Sequence, residues 1–215
     1  MADKEKNISK KRLIIRIVGS ILIVAGIVII AYPFYTNFVM KRKEVEVLAS
    51  WDDQIGQVQA TSSTTEDSDP ELKKESIDVD TSQKVPFKIT IPDIETEWIV
   101  NEGTDTATLK EGPGHLTESA LPGEEGKCVV AGHRTTYGAP FNRVDELDKG
   151  DQIFIETLGN ERFVYLVKDQ FEVLPSDLSI LEPVEEAILL LSTCTPKYYA
   201  TRRLIIYAEL DESGL

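Results

Sequence analysis

From Ile17 to Tyr32 the chain is apolar throughout, interrupted only by Gly19, Ser20 and Gly26. A run with no polar face cannot be a surface helix of a water-soluble domain. With Pro33-Phe34-Tyr35 and the residues toward Met40, it approaches the roughly 20 residues a helix needs to cross a bilayer. Lys4, Lys6, Lys10, Lys11, Arg12 and Arg16 precede it, against Lys41, Arg42 and Lys43 after it. That imbalance places the N-terminus inside and the remainder outside. No small-x-small cleavage site follows, so an uncleaved signal anchor is expected rather than a removable leader. Any soluble core must therefore form from what lies beyond the anchor.

The net charge of −14 excludes a general nucleic-acid binder, which needs basic surface to neutralise phosphate. Residues 44–84 hold eleven Asp/Glu and three Lys. Thr61-Ser62-Ser63-Thr64-Thr65-Glu66-Asp67-Ser68-Asp69-Pro70 has the composition of a solvated tether. Val45, Val47 and Leu48 lie among the charges, which leaves open a continuation of the membrane helix into 44–60.

From Pro86 the pattern changes to short strands. Phe87-Lys88-Ile89-Thr90-Ile91 alternates, stops at Pro92 and is followed by Glu97-Trp98-Ile99-Val100. Gly112-Pro113-Gly114 and Leu121-Pro122-Gly123 mark turns in an irregular stretch. Cys128 to His133 reads as a fully apolar, central strand. Pro140 to Leu147 predicts a short helix with Phe141, Val144 and Leu147 on one face. Gln152 to Glu156, Arg162 to Val173, Ile188 to Thr193 and Arg203 to Leu210 supply further strands, with a helical turn over Ser176–Leu181. Seven or eight strands with little helix predict a mostly β domain, a closed barrel or a sandwich.

Three of these strands end in reactive side chains. Leu191-Ser192-Thr193-Cys194 closes one in a thiol, Val129-Val130-Ala131-Gly132-His133 closes another in an imidazole, and Arg202-Arg203 opens the last. A neutral thiol is a poor nucleophile and needs a base or cation beside it. His133 can take the thiol proton and return it to a leaving amine. Arg203 offers fixed charge and planar donors to an oxyanion, and Thr193 can contribute a hydroxyl or a backbone amide. His115 competes as the base, and Arg134 and Arg202 compete with Arg203. Neighbours on a strand face opposite ways, so only one of Arg202 and Arg203 can face the sulfur. Cys128 lies five residues before His133 on the same strand, about 16 Å away at ~3.3 Å per residue. If His133 meets Cys194, then Cys128 is too distant to bridge it and is expected to be a small buried residue.

Leu191-Ser192-Thr193-Cys194, followed by Arg203-Leu204-Ile205-Ile206-Tyr207-Ala208, resembles the sortase signature, Thr-Leu-x-Thr-Cys with a downstream Arg. Leu190 stands where that pattern has Thr. Ala131-Gly132-His133-Arg134 matches the family's histidine motif. The string from Gly132 to Phe141, with Gly112-Pro113-Gly114-His115 upstream, looks most like class E sortases, with class D next. The resemblance spans 86–210 and implies an eight-stranded closed β-barrel with one or two short helices. It implies His133, Cys194 and Arg203 as the catalytic set, with Thr193, Ser192 and Tyr137 toward substrate. Tyr137 occupies a position linked to the signal's second residue, beside the plainer reading of a ring that packs a loop.

The resemblance further implies a cysteine transpeptidase that cuts a Leu-Pro-x-Thr-Gly or Leu-Ala-x-Thr-Gly sorting signal between Thr and Gly. The Thr is held as a thioester on Cys194 and passed to an amine, anchoring surface proteins to peptidoglycan. Expected partners are signal-bearing surface proteins and an amine acceptor on a peptidoglycan precursor or a pilin. The expected layout is a basic cytoplasmic segment 1–16, a transmembrane signal anchor 17–40, an acidic extracellular linker 41–85 and a catalytic domain 86–211. No metal or other cofactor is expected, and calcium modulation cannot be read from scattered carboxylates. Rival readings are a pilin-polymerising sortase and a tethered cell-wall thiol hydrolase. Asp69-Pro70-Glu71 lacks the aromatic of a pilin-sortase lid, and His-before-Cys is the reverse of the usual wall-peptidase order. A non-enzymatic tethered domain is the third possibility.

Overall fold

The computed structural model describes residues 2–62 and 85–211. Helix α1 (Ala2–Ser62) is continuous through the apolar run and beyond it, with Pro33 inside. Of the stretch expected as a linker over 41–85, residues 41–62 are helix and 63–84 lie outside the described residues. The physical reason is that the helix acquires a partner. Trp51 and Ile55, one turn apart, are buried against Ile99 and Leu158 of the barrel, with Leu48 beside them. Lys88, which approaches Asp52 Oδ1 at 3.4 Å, adds an ion pair at that seam. Val45 and Val47, by contrast, remain exposed.

The remaining chain closes a barrel from strands β1 (Phe87–Ile91), β2 (Thr96–Glu102), β3 (Gly114–His115), β4 (Gly126–Ala131), β5 (Gln152–Thr157), β6 (Arg162–Val173), β7 (Ala187–Thr195) and β8 (Arg202–Leu210). Around the wall the order is β1-β2-β3-β4-β7-β8-β6-β5, and β5 pairs back onto β1. Closure removes every free sheet edge. Alternation places Phe87, Ile89 and Ile91 inside, fully buried, as expected from the period of two. Tyr165, Val130, Leu189, Leu191 and Ile206 join them. β4 and β7 are apolar on both faces because their outer face is covered too. Val129, Ile188, Leu190 and Ile205 pack there beneath Ile180 and Val184.

The helix expected over Pro140–Leu147 is a series of turns with one 3₁₀ turn at Val144–Glu146. Its three apolar residues are buried as the spacing required, yet the segment is too short to continue as a helix. The turn near Ser176 is likewise a 3₁₀ turn, Ser179–Leu181. Helix α2 (Thr106–Glu111) precedes the Gly112-Pro113-Gly114 turn, in a stretch for which the sequence reading names no element. Asp105 caps it, accepting from the Ala107 and Thr108 amides at 2.8 and 3.3 Å.

Replacing Trp51 by alanine should remove most of the apolar contact that seats the outer half of α1. The expected cost is about 3 kcal/mol, read as faster amide exchange over the helix from about Glu44 to Gly56, with β7 and β8 unchanged. Equal protection in the variant would show that the helix is held elsewhere.

Candidate active site

Backbone register sets two of the three reactive residues opposite each other and starts the loop that carries the third at the same end of the barrel. β4 and β7 run parallel, with Ala131 opposite Ser192, and the ladder extends through the Gly132 amide, which donates to the Ser192 carbonyl at 3.0 Å. Two residues beyond that pair stand His133, in the loop that follows β4, and Cys194, still within β7. β7 and β8 run antiparallel, with Cys194 directly opposite Arg203. Residues alternate between faces along a strand, so Val129 and Ala131 share the outer face with Leu190, Ser192 and Cys194, while His133 stands two residues past the end of β4. Directly opposed residues of an antiparallel pair also share a face. Sulfur and guanidinium thus emerge on the same side of the wall, at the end where the loop carrying His133 begins.

The Arg203 Nη1 group lies 3.3 Å from Cys194 Sγ. Arg202 faces away, its Nε 3.2 Å from Glu172 Oε2. Arg134 is buried and serves the nucleophile's backbone: Nη1 donates to the Cys194 carbonyl at 3.2 Å, while Nη2 meets Asp145 Oδ2 at 2.8 Å. Lys197 reaches the other Asp145 oxygen at 3.5 Å, tying the loop after Cys194 to the loop after His133. Sequence reading took Arg134 only as a rival to Arg203, since nothing in the string discloses which way its side chain turns.

His133 is half-buried, its ring centroid 5.0 Å from that of Tyr137 and inclined by 41°. Burial, then the charge of Lys110, lowers its pKa below the ordinary 6.5, so the imidazole is neutral at pH 7. His115 has a different occupation. It is 1 % exposed, with Nδ1 3.2 Å from Glu102 and Nε2 3.0 Å from both the Ala120 carbonyl and Ser119 Oγ. Such a histidine, buried and with both ring nitrogens engaged, braces a wall.

Thr193 needs a correction. Its side chain is 2 % exposed and points away from the sulfur, where its hydroxyl donates to the Gly132 carbonyl at 2.7 Å. Alternation forces this, because the residue beside an outward cysteine must face inward. The hydroxyl therefore sews β7 to β4 and is not open to a substrate. Ser192 lies on the open face, in a groove of about 180 Å³ that it lines with Arg203, Leu116, Val129, Leu178 and Ile180. Cys128 is a free, buried thiol paired in register with Leu189, and burial pushes its pKa far up. Cys194 is also free and only partly covered. Gly132, between the ladder and His133, admits no side chain, since a Cβ there would come within 2.6 Å of the Phe141 ring.

The Sortase domain model matches residues 89–211, more than half of the chain. Sortase D of Bacillus subtilis (strain 168) is 32% identical over 198 residues, covering 90% of this chain and 98% of that protein. Sortase SrtE1 of Streptomyces coelicolor is 34% identical over 113 residues, covering 46% of this chain and 32% of that protein. The solved structure of sortase E from Streptomyces avermitilis superposes with a TM-score of 0.54 at 34% identity, covering 59% of this chain and 88% of that one. The match to SrtE1 covers under half of this chain, whereas those to Sortase D and to Sortase SrtE2 of Streptomyces coelicolor (27% identical over 223 residues) cover 90% and 91% of it. A matched domain, a matched barrel and a nearly full-length relative together establish that this chain belongs to the sortase family of cysteine transpeptidases.

Proposed function

We propose that the protein is a membrane-anchored transpeptidase that cuts a Leu-Pro-x-Thr-Gly or Leu-Ala-x-Thr-Gly-like signal between Thr and Gly and joins the Thr to an amine of the cell wall. The observation that supports this most directly is the Arg203 guanidinium 3.3 Å from the Cys194 sulfur, at the end of the barrel where the loop carrying His133 leaves β4. In this reading His133, neutral at pH 7, takes the thiol proton and the thiolate attacks the Thr carbonyl carbon. Arg203 then shares its donors with the oxyanion. Collapse breaks the C–N bond, the imidazolium protonates the departing Gly amine, and an acyl thioester remains on Cys194. An incoming amine displaces the sulfur and closes the cycle.

The groove beside Ser192 fits the signal's apolar residues. Leu116, Val129, Leu178 and Ile180 line it, and Arg203 closes its catalytic end. Tyr137, whose ring lies 5.0 Å from that of His133, meets the signal's second residue in this reading. The anchor would hold the barrel at the outer membrane face, where signal and acceptor are both tethered and local concentration replaces diffusion. Because α1 meets the barrel from Tyr32 onward, the span is better assigned to Leu13–Tyr32 than to 17–40. That is twenty residues, or ~30 Å of helix, with Arg16 extended toward the inner surface.

Cys194→Ala should abolish cleavage of signal peptides, and Arg203→Ala should lower kcat/KM by about 10²–10³; full activity in either variant would refute the assignment. On the acid side, the rate should fall as pH drops through a midpoint below 6.5, where His133 gains its proton. Lys110→Ala, which removes a charge opposing that proton, should move the midpoint upward; a midpoint indifferent to Lys110 would exclude His133 as the titrating base. Leu-Pro and Leu-Ala pentapeptides, each assayed with and without an amine, distinguish the finer readings. Cleavage with no transfer to any amine would leave a hydrolase, and transfer only to a pilin lysine would leave a pilin polymerase.

A further inference from the structure

The contact between α1 and the loop that follows His133 has a polarity and precision that a plain tether would not need. Pro33, Thr36, Asn37 and Met40 form one helix face, half-buried to buried, while Phe34, Tyr35 and Phe38 on the other side are exposed. On that face Asn37 donates through Nδ2 to the Thr135 carbonyl at 3.3 Å and accepts through Oδ1 from the Gly138 amide at 3.0 Å. One carboxamide thus spans both ends of the Thr135–Gly138 turn. Tyr32 adds a hydroxyl contact of 3.3 Å to the Tyr137 hydroxyl. Met40 packs beside Gly138, where a Cβ would collide with the Trp98 ring.

The turn so gripped is one the backbone resists. Tyr137, Gly138 and Ala139 all have positive φ, at 52°, 81° and 50°, and two of the three are not glycine. Such a conformation persists only where its surroundings hold it. Tyr137, at its centre, lays its ring 5.0 Å from the His133 ring, and the Lys110 ammonium lies 5.9 Å from the centroid of the same Tyr137 ring. The contacts therefore run without a gap from Asn37 to the turn, from the turn to Tyr137, and from Tyr137 to the imidazole.

We propose that Asn37 is a positioning residue for His133, so that the anchor helix forms part of the active site rather than serving only as a leash. Helix, turn and imidazole act as one unit. A barrel whose α1 is displaced would keep Cys194 and Arg203 in register, because their pairing lies within the sheet, but would lose the set of the histidine. The proposal rests on His133 being the base of the thiol, and the test separates the two claims.

The test uses the full-length chain in detergent micelles, with iodoacetamide alkylation of Cys194 followed across pH alongside kcat and KM for a signal peptide. Asn37→Ala removes both hydrogen bonds. It should lower kcat by between about 10- and 100-fold, the range expected for a displaced catalytic group, leave KM within about twofold, and shift the alkylation profile along the pH axis. Asn37→Asp keeps the acceptor for Gly138 and loses the donor to Thr135, so it should fall between alanine and the parent. Alkylation of Cys128 reports unfolding, and should the alanine variant expose it, Asn37→Asp decides the question. A wild-type alkylation profile in a folded Asn37 variant overturns the proposal, whatever happens to kcat. His133→Ala gives the separate control. If the profile ignores His133, the base assignment itself fails; if it depends on His133 and not on Asn37, only the clamp fails.

Discussion

The parallel pairing of β4 with β7 is the constraint on which the rest of this molecule depends. Parallel neighbours leave the sheet in the same direction, so the loops after Ala131 and after Thr195 open at one end of the barrel. The antiparallel β8 then starts back from that end and sets Arg203 opposite Cys194. No side-chain interaction brings the sulfur and guanidinium into range. Their separation is set by a backbone ladder whose register cannot slip by one residue without turning every buried leucine of β7 to the wrong face. A reactive pair is thereby fixed by the most expensive feature of the barrel to disrupt.

Around that frame the two loops are fastened by groups other than the reactive ones. Arg134 holds the Cys194 carbonyl and meets Asp145, while Lys197 takes the second carboxylate oxygen. Burial works to raise the Asp145 carboxyl, but Arg134 and Lys197 more than offset it, and the group stays ionised below the usual carboxylate range. Beyond the loops, α1 lies along the outside of the barrel, with its Trp51 and Ile55 seated against Ile99 and Leu158. Family membership and barrel agree with one another here, and the apolar run and the segment docked on the barrel belong to one unbroken helix.

Much of this was legible in the string. Alternation in Phe87–Ile91 foretold an inward apolar row, and the run through Leu191 to Cys194 foretold a strand carrying a thiol outward. The Gly-His pair and the paired arginines pointed to the same chemistry. The helix α2 had a readable sign that went unused, since Asp105 precedes a helix-forming stretch that Gly112 ends. Residues 41–62 were harder. Their acidic, mixed composition resembles a tether, and helix over them depends on Trp51 finding a pocket formed by residues far along the chain. Thr193 was misjudged for a simpler reason: adjacency to a nucleophile in sequence means opposition to it across a strand.

Local patterning by itself determined that a helix with no polar face precedes a β domain, and which residue types would meet a carbonyl carbon. These follow from periodicity and from the intrinsic chemistry of thiol, imidazole and guanidinium. Only the tertiary structure decided that Arg203 rather than Arg202 or Arg134 faces the sulfur, that His115 is a brace, and that Asn37 reaches the turn beyond His133. Each of those choices depends on strand pairing or helix docking between residues far apart in the chain, and no local pattern encodes which distant partner a side chain will meet.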